Sequence, residues 1–351
     1  MDVAAPAPIV VQYLYVHEPE EGFYYPSARA NGSAAGVAAR YLECALTQAA
    51  TLALRDGVEC ELVLATNVTD RAILGRAGAT LLAKIEELGT RVLPTPYTHR
   101  PKPGTEIYVS SRYVLDAVMT ATEGLGEERQ VWLTDLDCVW PDPGRVFAAA
   151  PAKGEVGCIF IGYPPDWDTV GFEVYGRTRN GIGELARAMG GEARTPPWVG
   201  GELLTGTPAT LRSMVSACEE LDARLEGEGK TLPNEEQILS LAGALGQVRF
   251  ADLSAVARRI TTGPRSDAAP VEDHEAIGLW HLPAEKGLSL RRTAQQVLRG
   301  STRALRRDLE DPARMARRFN VGGTGPIRRL RDDGWIAAQR LRSARPRAVG
   351  G

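Results

Sequence analysis

The sequence predicts an α/β fold with one mixed, mostly parallel sheet flanked by helices, followed by a basic helical C-terminal extension. Short apolar segments of strand length alternate with segments of helical spacing over the first half of the chain, which is typical of a parallel sheet with crossover helices. At 351 residues, the chain is long enough to bury a sizeable core. From about Gly287 onward the sequence is helical, basic and poor in aromatic residues.

The first three strands and the helices between them follow from apolar periodicity and turn residues. The predicted elements are a strand at 9–16, an Ala-rich helix at 34–54, a strand at 60–65, a helix capped by Thr69 and Asp70 that runs to Gly89, and a short strand at 91–93.

Beyond a proline-rich loop, the same criteria predict a helix over 105–122, with an inward face formed by Ile107, Ser111, Leu115 and Val118. The later elements are a buried strand beginning at Val131, strands at 156–161, 203–207 and 248–250, a helix at 209–225 and a short helix from Asn234. We expect residues 1–287 to form one domain and residues 288–351 to form the extension.

Bulk composition, 44% apolar and 24% charged residues, is that of an ordinary globular protein. The sequence lacks an apolar run of membrane-spanning length and an N-terminal leader, so a cytoplasmic location is expected. The five cysteines are scattered, which indicates neither a zinc site nor a disulfide framework. With few aromatics and no recognition module, nucleic acid is not expected as a partner.

The net charge of −3 conceals a strong asymmetry. Residues 286–351 carry a net charge of +12 and residues 1–285 a net charge of −15. In the extension, Leu298, Leu305 and Leu309 form an apolar stripe among arginines, which is typical of an amphipathic helix. Two interpretations remain open: peripheral contact with an anionic membrane, or docking on the protein's own acidic body.

Two carboxylates follow the buried strand that begins at Val131. Asp135 and Asp137 lie one residue apart, directly before the turn residues 141–144. The carboxyl end of a strand is where ligands bind in α/β sheets, and two such oxygen donors can hold Mg²⁺ or Mn²⁺ against a phosphate-bearing substrate. The alternative is an Asp-rich loop whose side chains satisfy turn backbone.

Three later segments add candidates, each with a structural alternative. Gly200 and Gly201 allow close backbone approach to a ligand, with Glu202 beside them, or they form a bend. Glu236 lies in the first turn of a helix, where acidic residues need no function. His281 and Lys286 offer an imidazole to a metal and an ammonium to a diphosphate, although a lone histidine is usually structural.

The order and spacing of these segments resemble the nucleotide-sugar glycosyltransferases of the GT-A fold, which is Rossmann-like, particularly the glycogenin-like and related branches. The resemblance covers roughly residues 9–290. It implies that Asp135, Asp137 and His281 hold Mn²⁺ or Mg²⁺ on the diphosphate of a nucleoside-diphospho-sugar. Glycogenin-like enzymes have His-x-x-Gly-x-x-Lys-Pro-Trp. Here the glycine is missing and Lys286 comes one residue early, a departure that affects Lys286 more than His281.

The resemblance implies further roles at the donor and acceptor sites. Tyr15, at the end of the first strand, is expected to stack on the base. Arg112 resembles a basic residue near the donor, with a solvated helix face as the alternative. Glu202 and Glu236 are expected to face the acceptor as catalytic residues. The loop 166–168 either lines the sugar pocket or is a surface turn.

The function predicted is therefore metal-dependent transfer of a sugar from a nucleoside-diphospho-sugar to an acceptor hydroxyl, with a leaning towards retention of anomeric configuration. Asp135-Leu136-Asp137-Cys138-Val139 also fits the nucleophile motif of haloacid dehalogenase-type phosphohydrolases, with Asp135 as nucleophile. In those enzymes the nucleophile strand opens the domain, whereas here three strands precede it. A third alternative is a non-catalytic protein that binds sugar nucleotides.

Overall fold

The computed structural model describes residues 6–17, 33–100, 110–166, 178–192, 195–260, 262 and 274–322. The strands are β1 (Ile9–Leu14), β2 (Glu61–Thr66), β3 (Arg91–Pro94), β4 (Val131–Thr134), β5 (Cys138–Val139), β6 (Val156–Ile161), β7 (Trp198–Gly206), β8 (Phe250–Asp252), β9 (Ala257–Arg259) and β10 (Leu279–His281). The helices are α1 (Ala34–Ala53), α2 (Gly75–Glu87), α3 (Tyr113–Thr122), α4 (Pro143–Ala148), α5 (Arg179–Ala188), α6 (Pro208–Gly227), α7 (Glu235–Ala244), α8 (Ser289–Leu298), α9 (Arg303–Leu309) and α10 (Pro312–Arg318).

Seven strands form the central sheet in the order β3-β2-β1-β4-β7-β6-β8. β7 runs antiparallel to both of its neighbours, and the other four pairings are parallel. The predicted fold class, a mixed and mostly parallel sheet flanked by helices, is confirmed. The long strand β7 is buried along its whole length, as expected of a strand covered on both faces.

Helices cover both faces of the central sheet. Apolar residues of α3, α5, α6 and α7 pack with one set of strand side chains, and those of α1 and α2 pack with the other. A second, three-stranded sheet has the order β5-β10-β9. Its strand β5 follows the Asp pair directly, so it carries the chain from the central sheet to the candidate site.

Most of the expected elements are present, although several bounds differ; the strand expected at 203–207, for example, is β7 and already begins at Trp198. The helix expected after Asp70 begins as a 3-10 turn over Arg71–Leu74, because the Asp70 carboxylate caps this turn by accepting from the Ala72 amide. Ser33 caps α1 in the same way, accepting from the Gly36 amide. In the helix expected over 105–122, Ile107 lies outside the described residues and α3 begins at Tyr113.

The basic extension is three short helices in the described range, rather than one amphipathic helix, because the chain turns at Gly300, which has a positive φ of 70°. Leu305 and Leu309 are buried in the apolar cluster that also contains α1, and Leu298 packs against it. Arg291 lies 3.4 Å from Glu43 of α1. The leucine stripe therefore docks on the protein's own body. Among the described residues, every helix is too short or too polar to cross a bilayer.

Candidate metal and nucleotide site

The pairing of β5 with β10 brings the late histidine to the Asp pair. His281 is opposite Cys138 in the antiparallel register of these two strands, and Cys138 directly follows Asp137. The amide of Leu282 also donates to the carbonyl of Asp137 at 2.9 Å. Backbone pairing, rather than side-chain contact alone, therefore fixes the distance between the imidazole and the carboxylates.

Asp135, Asp137 and His281 present three donor atoms, all within 4.8 Å of one another. His281 Nε2 lies 3.4 Å from Asp135 Oδ2 and 3.2 Å from Asp137 Oδ2. Its Nδ1 faces Glu202 Oε1 at 3.6 Å, and a carboxylate behind a histidine orients the ring for metal ligation. Two carboxylate oxygens and one imidazole nitrogen suit Mn²⁺ or Mg²⁺. The residues present therefore fit the metal that the resemblance implies.

Lys286 completes the cluster. Its Nζ donates to Asp137 Oδ2 at 2.6 Å and lies 5.7 Å from the ring of Tyr41. Burial alone would raise the pKa of Asp137, but the charges of Lys286 and His281 lower it below its ordinary value. Burial opposes the charge on His281, yet Asp137 and the hydrogen bonds around the ring raise its pKa to about 9. At this site two cationic side chains, His281 and Lys286, thus lie directly against the buried carboxylate of Asp137.

Tyr13, a site residue not predicted from the sequence, binds Asp135, the other carboxylate of the pair. Its hydroxyl donates to Asp135 Oδ1 and lies 3.3 Å from the carbonyl of Gly201. Burial and the neighbouring charge of Asp137 raise the pKa of Asp135, against the opposing effects of His281, Tyr13 and Lys286. Tyr13 is two residues before Tyr15, which directly follows β1, so the period-two alternation of a strand was the signal that could have identified it.

Glu202 lies beneath the site in an ion pair with Arg259. Arg259 Nε and Nη2 donate to its two carboxylate oxygens at 2.9 and 3.0 Å. Burial would raise the pKa of Glu202, but Arg259 overrides this effect and lowers it to about 2. Glu202 is fully buried and does not line the cavity. Both of its oxygens accept from Arg259, and its predicted acceptor-facing role stays a prediction.

Arg259 also reaches the start of α7. Its Nη2 donates to Glu236 Oε1 at 2.7 Å, and its Nη1 donates to the hydroxyl of Tyr163 at 2.7 Å. The indole of Trp198 donates to the other oxygen of Glu236 at 2.8 Å. Glu236 lines the cavity, as its predicted acceptor-facing role requires, although that role remains a prediction.

The acidic start of α7 is fixed by its cap. Asn234 accepts from the Gln237 amide at 2.9 Å, and the Gln237 side chain accepts from the Asn234 amide at 3.4 Å, which is a capping box. This cap aims Glu235 and Glu236 into the cavity. Burial, followed by the charge of Glu236, raises the pKa of Glu235 to about 8, so near neutral pH this carboxyl retains a proton that it can donate.

Gly200 and Gly201 lie close against the side chains of two glutamates. A Cβ on Gly200 would collide with the carboxylate of Glu202, and a Cβ on Gly201 would lie 2.5 Å from Glu235 Oε1 and 2.7 Å from its Cγ. Neither glycine lines the cavity. Their predicted backbone contact with the cofactor stays a prediction, and the space above them is filled by these two glutamates.

Replacing Gly201 by alanine should displace Glu235 and disturb the cavity. Forcing a methyl group into this packed position should destabilise the protein by roughly 1–3 kcal/mol, because the half-buried Glu235 side chain would have to shift. Urea denaturation would measure this effect. Gly162→Ala is a suitable control, since no atom lies within 4 Å of the Cβ position there. Equal midpoints for both variants would contradict the packing role.

A cavity of about 500 Å³ lies above these residues at the carboxyl ends of β1 and β4. The Asp-His-Lys cluster lines one part of it, and Tyr15 lines it as well. Tyr15 is held by edge contacts with Tyr97 and His17, at ring-centroid distances of 4.8 and 5.1 Å. The structure thus places Tyr15 in the cavity. Its stacking on a base remains a prediction.

The Arg112 guanidinium is bound by other residues of the protein. Its guanidinium donates to both carboxylate oxygens of Asp222 and, at 2.7 Å, to the carbonyl of Leu232. It is buried and is not among the cavity-lining residues. Arg112 thus ties the start of α3 to α6, and its predicted contact with the donor stays a prediction. In the loop 166–168, Trp167 and Asp168 lie outside the described residues, and the Asp166 carboxylate accepts from Asn180 at 2.5 Å.

No protein-family model and no curated protein matches the chain in sequence. Solved structures similar in fold include an active-site mutant of LgtC, with 13% identity, a TM-score of 0.47 and coverage of 83% of this chain and 95% of that one. The galactosyltransferase LgtC in complex with donor and acceptor sugar analogues shows 10% identity, a TM-score of 0.47 and the same coverage. Mouse xyloside xylosyltransferase 1, in its apo form, shows 11% identity, a TM-score of 0.44 and coverage of 79% and 97%. At this level of similarity, none of them assigns a donor or an acceptor to this chain.

Proposed function

We propose that this protein is a metal-dependent glycosyltransferase that moves a sugar from a nucleoside-diphospho-sugar to an acceptor hydroxyl. One observation carries the proposal: Asp135, Asp137, His281 and Lys286 converge in a cavity at the carboxyl ends of two strands. Two carboxylates and an imidazole provide the ligands for Mn²⁺ or Mg²⁺, and an ammonium beside them suits a diphosphate.

The residues of the chain have separate roles in this proposal. Asp135, Asp137 and His281 would hold the metal, which when bound supplies positive charge that stabilises the leaving diphosphate. Lys286 adds a second positive charge on the same side of the cavity. Tyr15 would bind the base, and Glu236 would orient the acceptor hydroxyl.

In this proposal residues 1–287 form the transferase domain and residues 288–351 the extension, whose described part packs on α1. The resemblance implies retention of anomeric configuration, and NMR analysis of the product anomer tests this directly. A product of inverted configuration would remove this part of the proposal without affecting the metal site.

A thermal-shift screen tests the proposal as a whole. UDP-, GDP- and dTDP-sugars are added with and without Mn²⁺ to the wild type, to the Asp135→Ala/Asp137→Ala variant and to Asp56→Asn. Asp56 is a matched control, because its side chain is fully exposed. We expect a stabilising shift by one nucleotide sugar that needs Mn²⁺, is kept in Asp56→Asn and is lost in the double variant.

The same proteins separate the alternatives. Release of phosphate from a monoester without any nucleotide requirement would favour the phosphohydrolase with Asp135 as nucleophile. Metal-dependent binding of the nucleotide sugar without its hydrolysis or transfer would favour a non-catalytic sugar-nucleotide-binding protein. Slow, Mn²⁺-dependent hydrolysis of the bound sugar nucleotide would support the transferase.

A further inference from the structure

A second concave site lies on the C-terminal helices α8, α9 and α10. It is a cleft of about 630 Å³ lined by seven residues, of which five are arginines. The other two are Asp308 and Gln296. We call it the arginine cleft; its arginines are Arg292, Arg307, Arg314, Arg317 and Arg318.

The positive charge of the arginine cleft is only partly neutralised. Asp308 is shared by two of the arginines, with Arg318 Nη2 at 2.7 Å and Arg307 Nη2 at 3.1 Å. Arg292 donates to a backbone carbonyl, that of Arg318, at 3.1 Å. In the described part of the chain, the guanidinium of Arg317 has neither an ion pair nor a hydrogen bond.

The arrangement differs from that of scattered surface arginines. The Arg318 side chain is 8% exposed. Its guanidinium is fixed by Asp308 and by Gln296, whose Oε1 accepts from Nη1 at 2.8 Å. Arg314 lies at the rim, paired with Asp311 at 3.0 Å. A pre-positioned guanidinium at the base and exposed ones at the rim form a cleft suited to a compact anion with several oxygen acceptors.

We propose that the arginine cleft binds a phosphate-bearing group. Guanidinium groups bind phosphate oxygens in bidentate fashion, and the excess of arginine over carboxylate in the cleft favours an anion of more than one charge. The group is either a soluble phosphate compound or the headgroup of a phospholipid.

The test uses two probes and three full-length proteins. Inorganic pyrophosphate is titrated calorimetrically in EDTA, and sedimentation is measured with phosphatidylcholine vesicles with and without phosphatidic acid. The proteins are the wild type, Arg314→Gln/Arg317→Gln and Arg303→Gln. Arg303 is a matched control because it is an exposed arginine of α9 outside the cleft. Both cleft positions are exposed, and circular dichroism confirms that the double variant is folded.

We expect the wild type and Arg303→Gln to bind one of the probes alike, and the double variant to bind it roughly tenfold or more weakly. Binding should also weaken as salt is added. Saturable binding of pyrophosphate identifies a soluble phosphate compound, and selective binding to phosphatidic acid vesicles identifies a lipid headgroup. A separate binding event that is the same in all three proteins belongs to the cavity lined by Asp137 and Lys286. Equal binding by all three proteins, or binding of neither probe, overturns the proposal.

Discussion

Replacing His281 by alanine is expected to lower the affinity for Mn²⁺ by about 100-fold or more. Loss of a group that only orients a metal ligand costs roughly 10–100-fold, and His281 is itself a ligand in the proposed site. We expect the rate of sugar transfer to fall by about 10²–10³-fold, as when one preorganised charge-stabilising group is removed. Calorimetric titration with Mn²⁺ and the rate of sugar-nucleotide turnover measure the two effects.

The matched control for this prediction is His274→Ala. His274 belongs to the 3-10 turn before β10 and packs edge-on against Trp280, with ring centroids 6.4 Å apart, outside the cavity. The His274→Ala substitution should leave the Mn²⁺ affinity unchanged. An unchanged Mn²⁺ affinity in His281→Ala would mean that the imidazole does not reach the metal, and Asp135 and Asp137 would then bind it without His281.

Much of the site could be predicted from the sequence because its key residues terminate or follow strands. Asp135 and Asp137 come directly after a fully buried strand, and His281 ends another short apolar run. A charged or polar residue in such a position requires a partner. The parallel pattern of the first four strands then places their carboxyl ends at one edge of the sheet.

The remaining site residues could not be predicted because their roles depend on long-range pairing. Arg259 is adjacent to Arg258 in the sequence, and only the parallel pairing of β9 with β10 turns one inward and leaves the other exposed. A Gly-Gly-Glu segment suggests an open backbone, which is why Gly201 and Glu202 are expected to contact a ligand. In the structure this segment lies in β7, which is inserted antiparallel between β4 and β6. There Gly201 packs against Glu235, and Glu202 pairs with Arg259.

Arg259→Ala is expected to lower the free energy of unfolding by about 2–3 kcal/mol. Breaking a buried ion pair by removing one partner costs roughly 3–5 kcal/mol. We expect a loss below this range, because the Arg259 side chain is 26% exposed whereas that of Glu202 is fully buried. Glu202 would then be an unpaired, buried carboxylate. Urea denaturation measures the change.

The neighbouring residue provides a close control. Arg258 is exposed on the same strand, and its Nε donates to the carbonyl of Ser254 at 2.9 Å, so Arg258→Ala should change the stability by no more than about 0.5 kcal/mol. Adding Glu202→Gln to Arg259→Ala removes the unpaired charge and should recover part of the lost stability. If the double variant is no more stable than Arg259→Ala alone, the loss comes from packing of the arginine stem rather than from the buried charge.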